Sequence, residues 1–447
     1  MNAIVSHGDG QVDSTGDQGS DNDERQTDRL LVLDAHKNAS VVFARALSEN
    51  DVEIIAGGWS KLSPGMLSRH VAGRFLYSSP YQQPDQFIEE LRSHLRANSY
   101  LAVIPLGDLT HVMLSKNKRR LEATGTTVGT ESWETFVAAN NKKSLAELID
   151  THSVTGPYTR SPESRDDVAK MKDEFSYPVV IKPQYTTVQT EDGAFTEARI
   201  SDENYVEGAE KLVERYRSLV EEYPYLATDL PIIQEVISGT VMATCGVTES
   251  GEFIEYFQEE RLRMFPVDGG SSALRQGIHH PEMAEDAREL VAALDWTGPI
   301  YVEFVHSPDG SCYVLEVNGR YWGSVGCAVC GGVNVPLLHY RQLGGVDNQT
   351  NQGYQLGKQQ RRLFYTDIKW LMAQLESGNI EAVVPFLKSF FEADDDLLVL
   401  DDPLPVAGAM LWAGEEILLG NGPREPLNDA VSRTASDVLE RLGGANE

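Results

Sequence analysis

Two glutamates are the residues whose type and spacing most clearly suggest chemistry in this sequence. A predicted β-hairpin would place them face to face. Two runs rich in β-branched and aromatic residues flank Asp309-Gly310, a dipeptide typical of a two-residue type I′ turn. A turn centred there pairs Glu303 with Glu316, and directly opposed residues have Cβ atoms roughly 4.5–5.5 Å apart. Strand alternation then puts Asn318 and Arg320 on the glutamate face, and it predicts four core-facing residues on the other: Val302, Phe304, Leu315 and Val317.

Carboxylates held this close repel each other unless a cation lies between them. Carboxylate and carboxamide oxygens are hard ligands that suit Mg²⁺, whose shell is usually completed by water and substrate phosphates. The guanidinium of Arg320 at the end of the row suits phosphate oxygens. An exposed hairpin whose wet face is simply solvated, or whose register is changed by a bulge, is the alternative. The hairpin alone leaves both interpretations open.

The composition restricts the class of partner. The chain has 447 residues, 41% of them hydrophobic, a length that suits two or three domains with their own cores. Its formal net charge of −30 argues against binding to nucleic acid and to anionic membrane surfaces. Only 13 of its 38 basic residues are lysines, and an acidic, lysine-poor protein is typical of adaptation to high salt. We therefore expect a halophilic setting.

Targeting signals do not stand out. The segment from Met1 to Asp28 lacks the apolar stretch of a signal peptide, and no run of about 18 apolar residues predicts a membrane span. Four cysteines in a chain of this length do not suggest a disulfide framework. These observations favour a cytoplasmic protein in a reducing compartment.

The pattern of apolar segments divides the chain into four parts. We expect a disordered acidic tail over residues 1–28, an N-terminal doubly wound α/β domain over 29–130, a central domain over 131–345, and a C-terminal helical module and tail over 346–447. The α/β prediction rests on short buried strands that alternate with helices. Because the motif G-x-G-x-x-G is missing there, no dinucleotide site is assigned.

Two predicted strands precede the hairpin along the chain. The first, Pro178 to Pro183, carries Lys182 at its end, where burial of an ammonium group without an anion would be unfavourable. A lysine whose amine reaches solvent is the alternative. The second strand reads Gln234-Glu235-Val236-Ile237 near its end.

The strand ending in Lys182, the strand at 232–237 and the hairpin motif Glu303…Glu316-Val317-Asn318-Gly319-Arg320 together resemble the ATP-grasp superfamily. This is the fold of carboxylate–amine ligases, biotin carboxylase and the large subunit of carbamoyl-phosphate synthase. The resemblance covers roughly residues 30 to 340. It implies an α+β ATP-grasp fold within the α/β class, with an N-terminal α/β domain, a two-lobed nucleotide-binding domain and a small C-terminal module.

The resemblance also implies site residues. ATP would be bound by Lys143 and Lys182 and by the largely backbone edge of Gln234, Glu235, Val236 and Ile237. Glu303, Glu316 and Asn318 would hold Mg²⁺ or Mn²⁺, and Lys182 and Arg320 would be the catalytic cations. The phosphate loop departs from the pattern: it is often glycine-rich in this fold, whereas residues 184–190 contain no glycine and the first is Gly193.

The implied activity is that of an ATP-dependent ligase, which activates a substrate carboxylate as an acyl phosphate and joins it to an amine. Arg261, Arg263 and Arg275 are candidates to bind an anionic substrate, with structural ion pairing as the alternative for each. The expected partners are a small-molecule carboxylate and an amine, with a homodimer possible. A kinase of the same fold, an ATP-binding regulatory module and a halophilic structural protein are the other hypotheses. Retention of the complete hairpin motif argues against a non-catalytic module.

Overall fold

The computed structural model describes residues 28–190, 192–198, 200–267, 270–348 and 353–419. The predicted acidic tail therefore lies outside the described residues, except for Asp28, and so does the end of the chain after residue 419. No helix in the described part combines the length and the apolar character needed to cross a lipid bilayer.

The first part of the chain is a parallel sheet with helices on both faces. Its elements are β1 (Asp28–Val32), α1 (Asn38–Ala46), β2 (Val52–Gly58), α2 (Pro64–Leu67), β3 (Gly73–Leu76), α3 (Pro84–Ala97), β4 (Ala102–Ile104), α4 (Asp108–Glu122) and β5 (Thr127–Val128). The strand order is β3-β2-β1-β4-β5, and every pair is parallel. Leu30 and Leu31 of β1 belong to two different hydrophobic cores. Burial on both faces explains the uninterrupted apolar run, and the doubly wound prediction is confirmed.

A small antiparallel sheet follows. Its region contains α5 (Trp133–Asn140), α6 (Lys142–Thr151), β6 (Thr159–Arg160), α7 (Asp167–Met171), β7 (Val179–Lys182), β8 (Thr187–Gln189), β9 (Phe195–Glu197), β10 (Tyr205–Val206), α8 (Ala209–Glu222) and β11 (Ile232–Glu235). Four strands form the sheet in the order β10-β7-β11-β6, while β8 and β9 pair as a separate hairpin. Residues 203–222 do not form one continuous helix. The helix instead begins after Gly208, because Val206 is a buried strand residue and glycine disfavours the helix interior.

The hairpin predicted to carry the site belongs to a larger sheet. Its first elements are β12 (Thr240–Glu249), β13 (Glu252–Phe265), β14 (Ser271–Gly277), α9 (Pro281–Leu294), β15 (Gly298–His306) and β16 (Cys312–Asn318). One face of this sheet shares a core with the N-terminal domain, through Cys245 and Tyr301 among others. The other face packs on α5, α6 and α9, through Val302 and Phe304 among others. The hairpin is therefore fixed between two layers.

The C-terminal region differs from the helical module expected from the sequence. After α10 (Val325–Gly331) and α11 (Val335–Leu343), which end the central part of the chain, it contains β17 (Gln359–Arg361), α12 (Ile368–Glu376), α13 (Val383–Glu392), β18 (Ala393–Asp395) and α14 (Leu404–Leu419). β17 pairs with β14 and β18 pairs with β17, so the large sheet runs β16-β15-β12-β13-β14-β17-β18. Buried ion pairs reinforce this junction: Arg263 lies 3.0 Å from Asp367, and Arg275 lies 3.3 Å from Asp396.

The buried arginine of this junction gives a test of the fold. We expect Arg275→Met to lower the free energy of unfolding by about 3 kcal/mol, because it leaves Asp396 buried without this partner. The matched control, Arg160→Met, breaks the exposed pair with Glu174 and should lower it by less than about 1 kcal/mol. Denaturant unfolding measures both values. Equal losses in the two variants would contradict the structural role of Arg275.

Candidate functional site

Glu303 and Glu316 are directly opposed across β15 and β16, as predicted. The route to this register differs from the prediction. The hairpin tip is longer than a two-residue turn: the Ser307 N–H donates to the Ser311 carbonyl, and His306 pairs with Cys312. A β-bulge then shifts the register by one residue between Phe304 and Glu303, which restores the expected glutamate pair.

The bulge changes the role of one residue. Leu315 is the extra residue of β16, and it is half-buried rather than part of the core. The prediction that Leu315 faces the core was therefore wrong, and Val314 takes that place beside Val302, Phe304 and Val317. Leu315 instead lines a cavity that also contains Lys182 and Gln234.

Cations surround the two carboxylates. Arg261 of β13 donates to Glu303, and the Lys142 amine at the start of α6 lies 3.4 Å from Glu316. Burial opposes ionisation of Glu316, but the charges of Lys142, Arg320 and Lys182 outweigh it and hold the pKa of Glu316 below its usual value. Glu316 is therefore placed to act as an anion near neutral pH.

Arg320 links the hairpin to the N-terminal domain. Its guanidinium donates to the Asp108 carboxylate at the beginning of α4, and to the Asn318 side-chain oxygen at 2.9 Å. Asp108 follows the carboxyl end of β4, the edge at which open α/β sheets bind ligands. Despite burial, the charges of Arg320 and Lys37 hold the pKa of Asp108 below its usual value.

Lys182 lies at the end of β7, inside the cavity. Its amine donates to the Gln234 side-chain oxygen at 2.6 Å, and the Gln234 amide donates to the Thr159 hydroxyl at 3.0 Å. The other cavity residues include Leu145, Ile149 and Ile232, which provide apolar walls. Burial and the neighbouring charge of Lys142 lower the pKa of Lys182 to about 8, while Glu316 and Glu303 act in the opposite direction.

The segment after Gln234 is tied down by its backbone. The Glu235 N–H donates to the Tyr158 carbonyl and the Val236 N–H donates to the Pro178 carbonyl, each at 3.0 Å. The Glu235 carboxylate accepts from the Ser176 N–H at 2.5 Å. Ile237 continues this segment beyond the strand and is half-buried.

The lysine that the structure brings to the hairpin is Lys142 and not Lys143. Both lie in the first turn of α6, which the Asn141 side chain caps by accepting from the N–H groups of residues 143 and 144. Lys142 lines the cavity and faces Glu316, whereas Lys143 is not among the cavity residues. Adjacent helical residues point about 100° apart, so two neighbouring lysines cannot both face the same site.

The loop after Lys182 forms the hairpin of β8 and β9, and it reaches the N-terminal domain. The Tyr81 hydroxyl donates to the Glu197 carboxylate at 3.0 Å, and the Phe195 N–H donates to the Tyr81 carbonyl at 2.8 Å. Gly193 has a positive φ of 84° at the hairpin tip, so it serves the turn between β8 and β9. No motif in the sequence predicts the contact with Tyr81.

The three candidate substrate arginines have different surroundings. Arg261 lies at the site beside Glu303, with the Tyr301 hydroxyl 3.4 Å away. Arg263 and Arg275 are not brought to the site: they are buried in the C-terminal junction with Asp367 and with Gln360 and Asp396. These two take the structural role that the sequence left open.

The hairpin face fits a magnesium ion by its donor set. Glu303 and Glu316 are opposed on one face, and Asn318 lies two residues further along the same strand. Hard oxygen donors of this kind are those Mg²⁺ takes in nucleotide sites. The nearby cations, Lys142, Lys182, Arg261 and Arg320, suit the phosphates that would accompany the ion.

No protein-family model matches the chain, and no curated protein is similar to it in sequence at a significant level. Solved structures are similar in fold. A biotin carboxylase from Campylobacter jejuni, as its β-γ-ATP complex, superimposes with a TM-score of 0.59 at 11% identity, over 75% of this chain and 74% of that one. The chain has the ATP-grasp fold.

Two further structures agree with this fold. An L-amino acid ligase from Bacillus licheniformis gives a TM-score of 0.52 at 14% identity, over 71% of this chain and 74% of that one. A biotin carboxylase domain of the 2-oxoglutarate carboxylase from Hydrogenobacter thermophilus was solved with MgADP and bicarbonate. It gives a TM-score of 0.56 at 13% identity, over 74% of this chain and 73% of that one. The ATP-grasp architecture expected from the three motifs is confirmed.

The pKa of Lys182 leads to a test of nucleotide binding. Because that pKa is about 8, the amine is charged below pH 8 and neutral above it, so affinity for ADP should fall as the pH rises. We expect an approximately ten-fold loss between about pH 7 and about pH 9, measured by calorimetry without divalent ions. Lys182→Arg keeps its charge throughout, so its affinity should stay nearly constant. A pH profile shared by both proteins would assign the titration to another group.

Proposed function

We propose that this chain is an ATP- and Mg²⁺-dependent ligase that activates a substrate carboxylate as an acyl phosphate and joins it to an amine, releasing ADP and phosphate. The observation that carries the proposal is the opposed pair Glu303 and Glu316, enclosed by cations at the meeting point of two domains. The similar biotin carboxylase and L-amino acid ligase structures support ligase chemistry for this fold.

The cavity beside Lys182 is the proposed nucleotide site. Apolar side chains such as Leu145, Ile149 and Leu315 would contact the base, and the backbone after Gln234 would meet its polar edge. Lys182 lies where the cavity meets the hairpin, so its amine would bind the phosphates. Because Lys182 donates to the neutral Gln234, an anion can replace this partner without breaking an ion pair.

Phosphoryl transfer requires alignment and charge neutralisation more than covalent help from the protein. In the proposed reaction Glu303, Glu316 and Asn318 would hold the metal. Bound there, Mg²⁺ would neutralise and orient the phosphate oxygens. Lys182 and Arg320 would stabilise charge on the transferring phosphoryl group. Arg320 is well placed because Asn318 and Asp108 fix its guanidinium from two sides.

The acceptor site is proposed on the N-terminal side of the hairpin. Arg261 would bind the substrate carboxylate, since its guanidinium lies beside Glu303. One carboxylate oxygen attacks the γ-phosphorus and ADP leaves. The amine nitrogen then attacks the acyl carbon, its proton passes to solvent, and phosphate leaves with the amide bond formed. The hairpin of β8 and β9 contacts Tyr81 of the N-terminal domain. As a lid in this position, it would exclude water from the acyl phosphate.

The deciding experiment measures ADP release with panels of carboxylates and amines at high KCl, with mass spectrometry of the product. Hydroxylamine replaces the amine in a parallel series, because it captures an acyl phosphate as a hydroxamate. We expect ADP release to require a carboxylate and the hydroxamate to form in step with ADP. A stable phosphorylated product without amine dependence would support the kinase instead. Tight ATP binding without turnover would support a regulatory module.

Removal of one metal ligand gives a direct test. We expect Glu316→Gln to lower ATP turnover by at least about 1,000-fold, because a neutral amide cannot replace the metal-binding charge in the transition state. The chain should stay folded, as shown by its circular dichroism and melting temperature. The control, Glu252→Gln at an exposed position of β13, should keep turnover within about two-fold of the original. Full turnover in Glu316→Gln would remove the metal role.

The setting of the enzyme belongs to the same proposal. A net charge of −30 with few lysines supports work in a salt-rich cytoplasm, where counterions screen the repulsion between acidic side chains. A homodimer stays a prediction, which analytical ultracentrifugation at high KCl can decide.

A further inference from the structure

A second group of ligand-type side chains lies near the tip of the hairpin. His306 is the last residue of β15, Cys312 is the first residue of β16, and the two are directly opposed. His280 precedes α9. One nitrogen or sulfur atom from each residue lies within 4.8 Å of the other two. Because Cys312 packs with the core beneath α9, the group lies on the sheet face opposite Glu303.

The backbone holds these residues firmly. His306 pairs with Thr240 on one side and with Cys312 on the other. At Gly239, an added Cβ would come within 2.1 Å of the His306 carbonyl oxygen, so the chain approaches this strand as closely as glycine allows. The buried Gln258 side chain accepts from the His280 N–H at 2.8 Å and donates to its carbonyl at 2.9 Å. Three separate elements are therefore fixed before any ligand binds.

The spacing fits a tetrahedral ion. Cys312 Sγ lies 3.7 Å from His280 Nε2, and metal bonds of about 2.3 Å to sulfur and about 2.0 Å to nitrogen place such atoms about 3.5 Å apart. The rings of His280 and His306 have centroids 5.4 Å apart. His306 makes no side-chain hydrogen bond to any described residue, so its nitrogens are available. Both histidines are half-buried, which leaves an entry path.

We infer that His280, His306 and Cys312 bind a transition-metal ion of the zinc class, with water or the exposed Glu282 carboxylate in the fourth position. Imidazole and thiolate together select Zn²⁺ over Mg²⁺, which prefers oxygen. The ion would join the beginning of α9 to the hairpin tip. This site is independent of the proposed ligase reaction, since none of its ligands takes part in nucleotide binding.

The proton balance of metal binding follows from the protonation of His280 and Cys312 in the metal-free chain. In the metal-free chain His280 Nδ1 accepts a long bond of 3.4 Å from the Met283 N–H, so the ring proton is on Nε2 and points toward Cys312. Binding through Nε2 moves this proton to Nδ1 and gives up the weak bond to Met283. The Cys312 thiol releases its proton to solvent as the metal–sulfur bond forms. One proton is released for each ion bound.

The test uses the full chain, freed of metal with a chelator and titrated with Zn²⁺ or Co²⁺ alone. We expect one ion per chain after desalting and, for Co²⁺, the charge-transfer absorption that a thiolate ligand gives. Cys312→Ser should remove this absorption and weaken Zn²⁺ binding by at least about 100-fold. Cys330→Ser, at a half-buried free thiol away from the group, should keep both, and so should Glu316→Gln.

A second variant keeps the comparison valid if the first variant does not fold. Should Cys312→Ser not fold, His306→Gln provides the same comparison at a half-buried position, with Zn²⁺ binding and melting temperature as readouts. No thiolate absorption in the original chain, or equal binding by the original and either ligand variant, would overturn the inference. Loss of the absorption in Cys330→Ser would also overturn it, because the metal would then bind at Cys327 and Cys330 of α10.

Discussion

The repulsion between two opposed carboxylates is the constraint on which this structure depends. Glu303 and Glu316 face each other with half-buried side chains, and that arrangement is stable only where positive charge surrounds it. Each cation comes from a different part of the chain: Lys142 from a helix start, Lys182 from the small sheet, Arg261 from β13. Arg320 also binds Asp108 of the N-terminal domain. The charges around one hairpin thus bring together the sheets whose residues form the site.

Local rules were sufficient for the N-terminal sheet and for the choice of the hairpin. Apolar strands alternating with helices give a doubly wound sheet with little ambiguity, and Asp309-Gly310 marks a turn. The glutamate register was predicted correctly although two assumptions behind it did not hold. The longer tip and the bulge at Leu315 cancel each other, and neither can be read from side-chain alternation alone.

Other features depend on contacts between distant parts of the chain. β17 and β18 have three residues each, too few for a strand signal, and they form because they extend β14. The same contacts bury Arg263 and Arg275, which look like substrate ligands in a linear sequence. The choice between Lys142 and Lys143 depends on the rotation of α6, which is set by packing. Site residues on single strands were therefore easier to place than those that depend on how elements meet.

The surplus residue in β16 has a consequence for how this site can diversify. Leu315 is excluded from the strand pairing, so its side chain forms a wall of the cavity while its neighbour Glu316 keeps its partner. Substitutions at position 315 can therefore reshape the cavity without shifting the pairing of Glu303 with Glu316. In evolutionary terms the bulge separates the selection acting on what the cavity accommodates from the selection acting on the acidic pair.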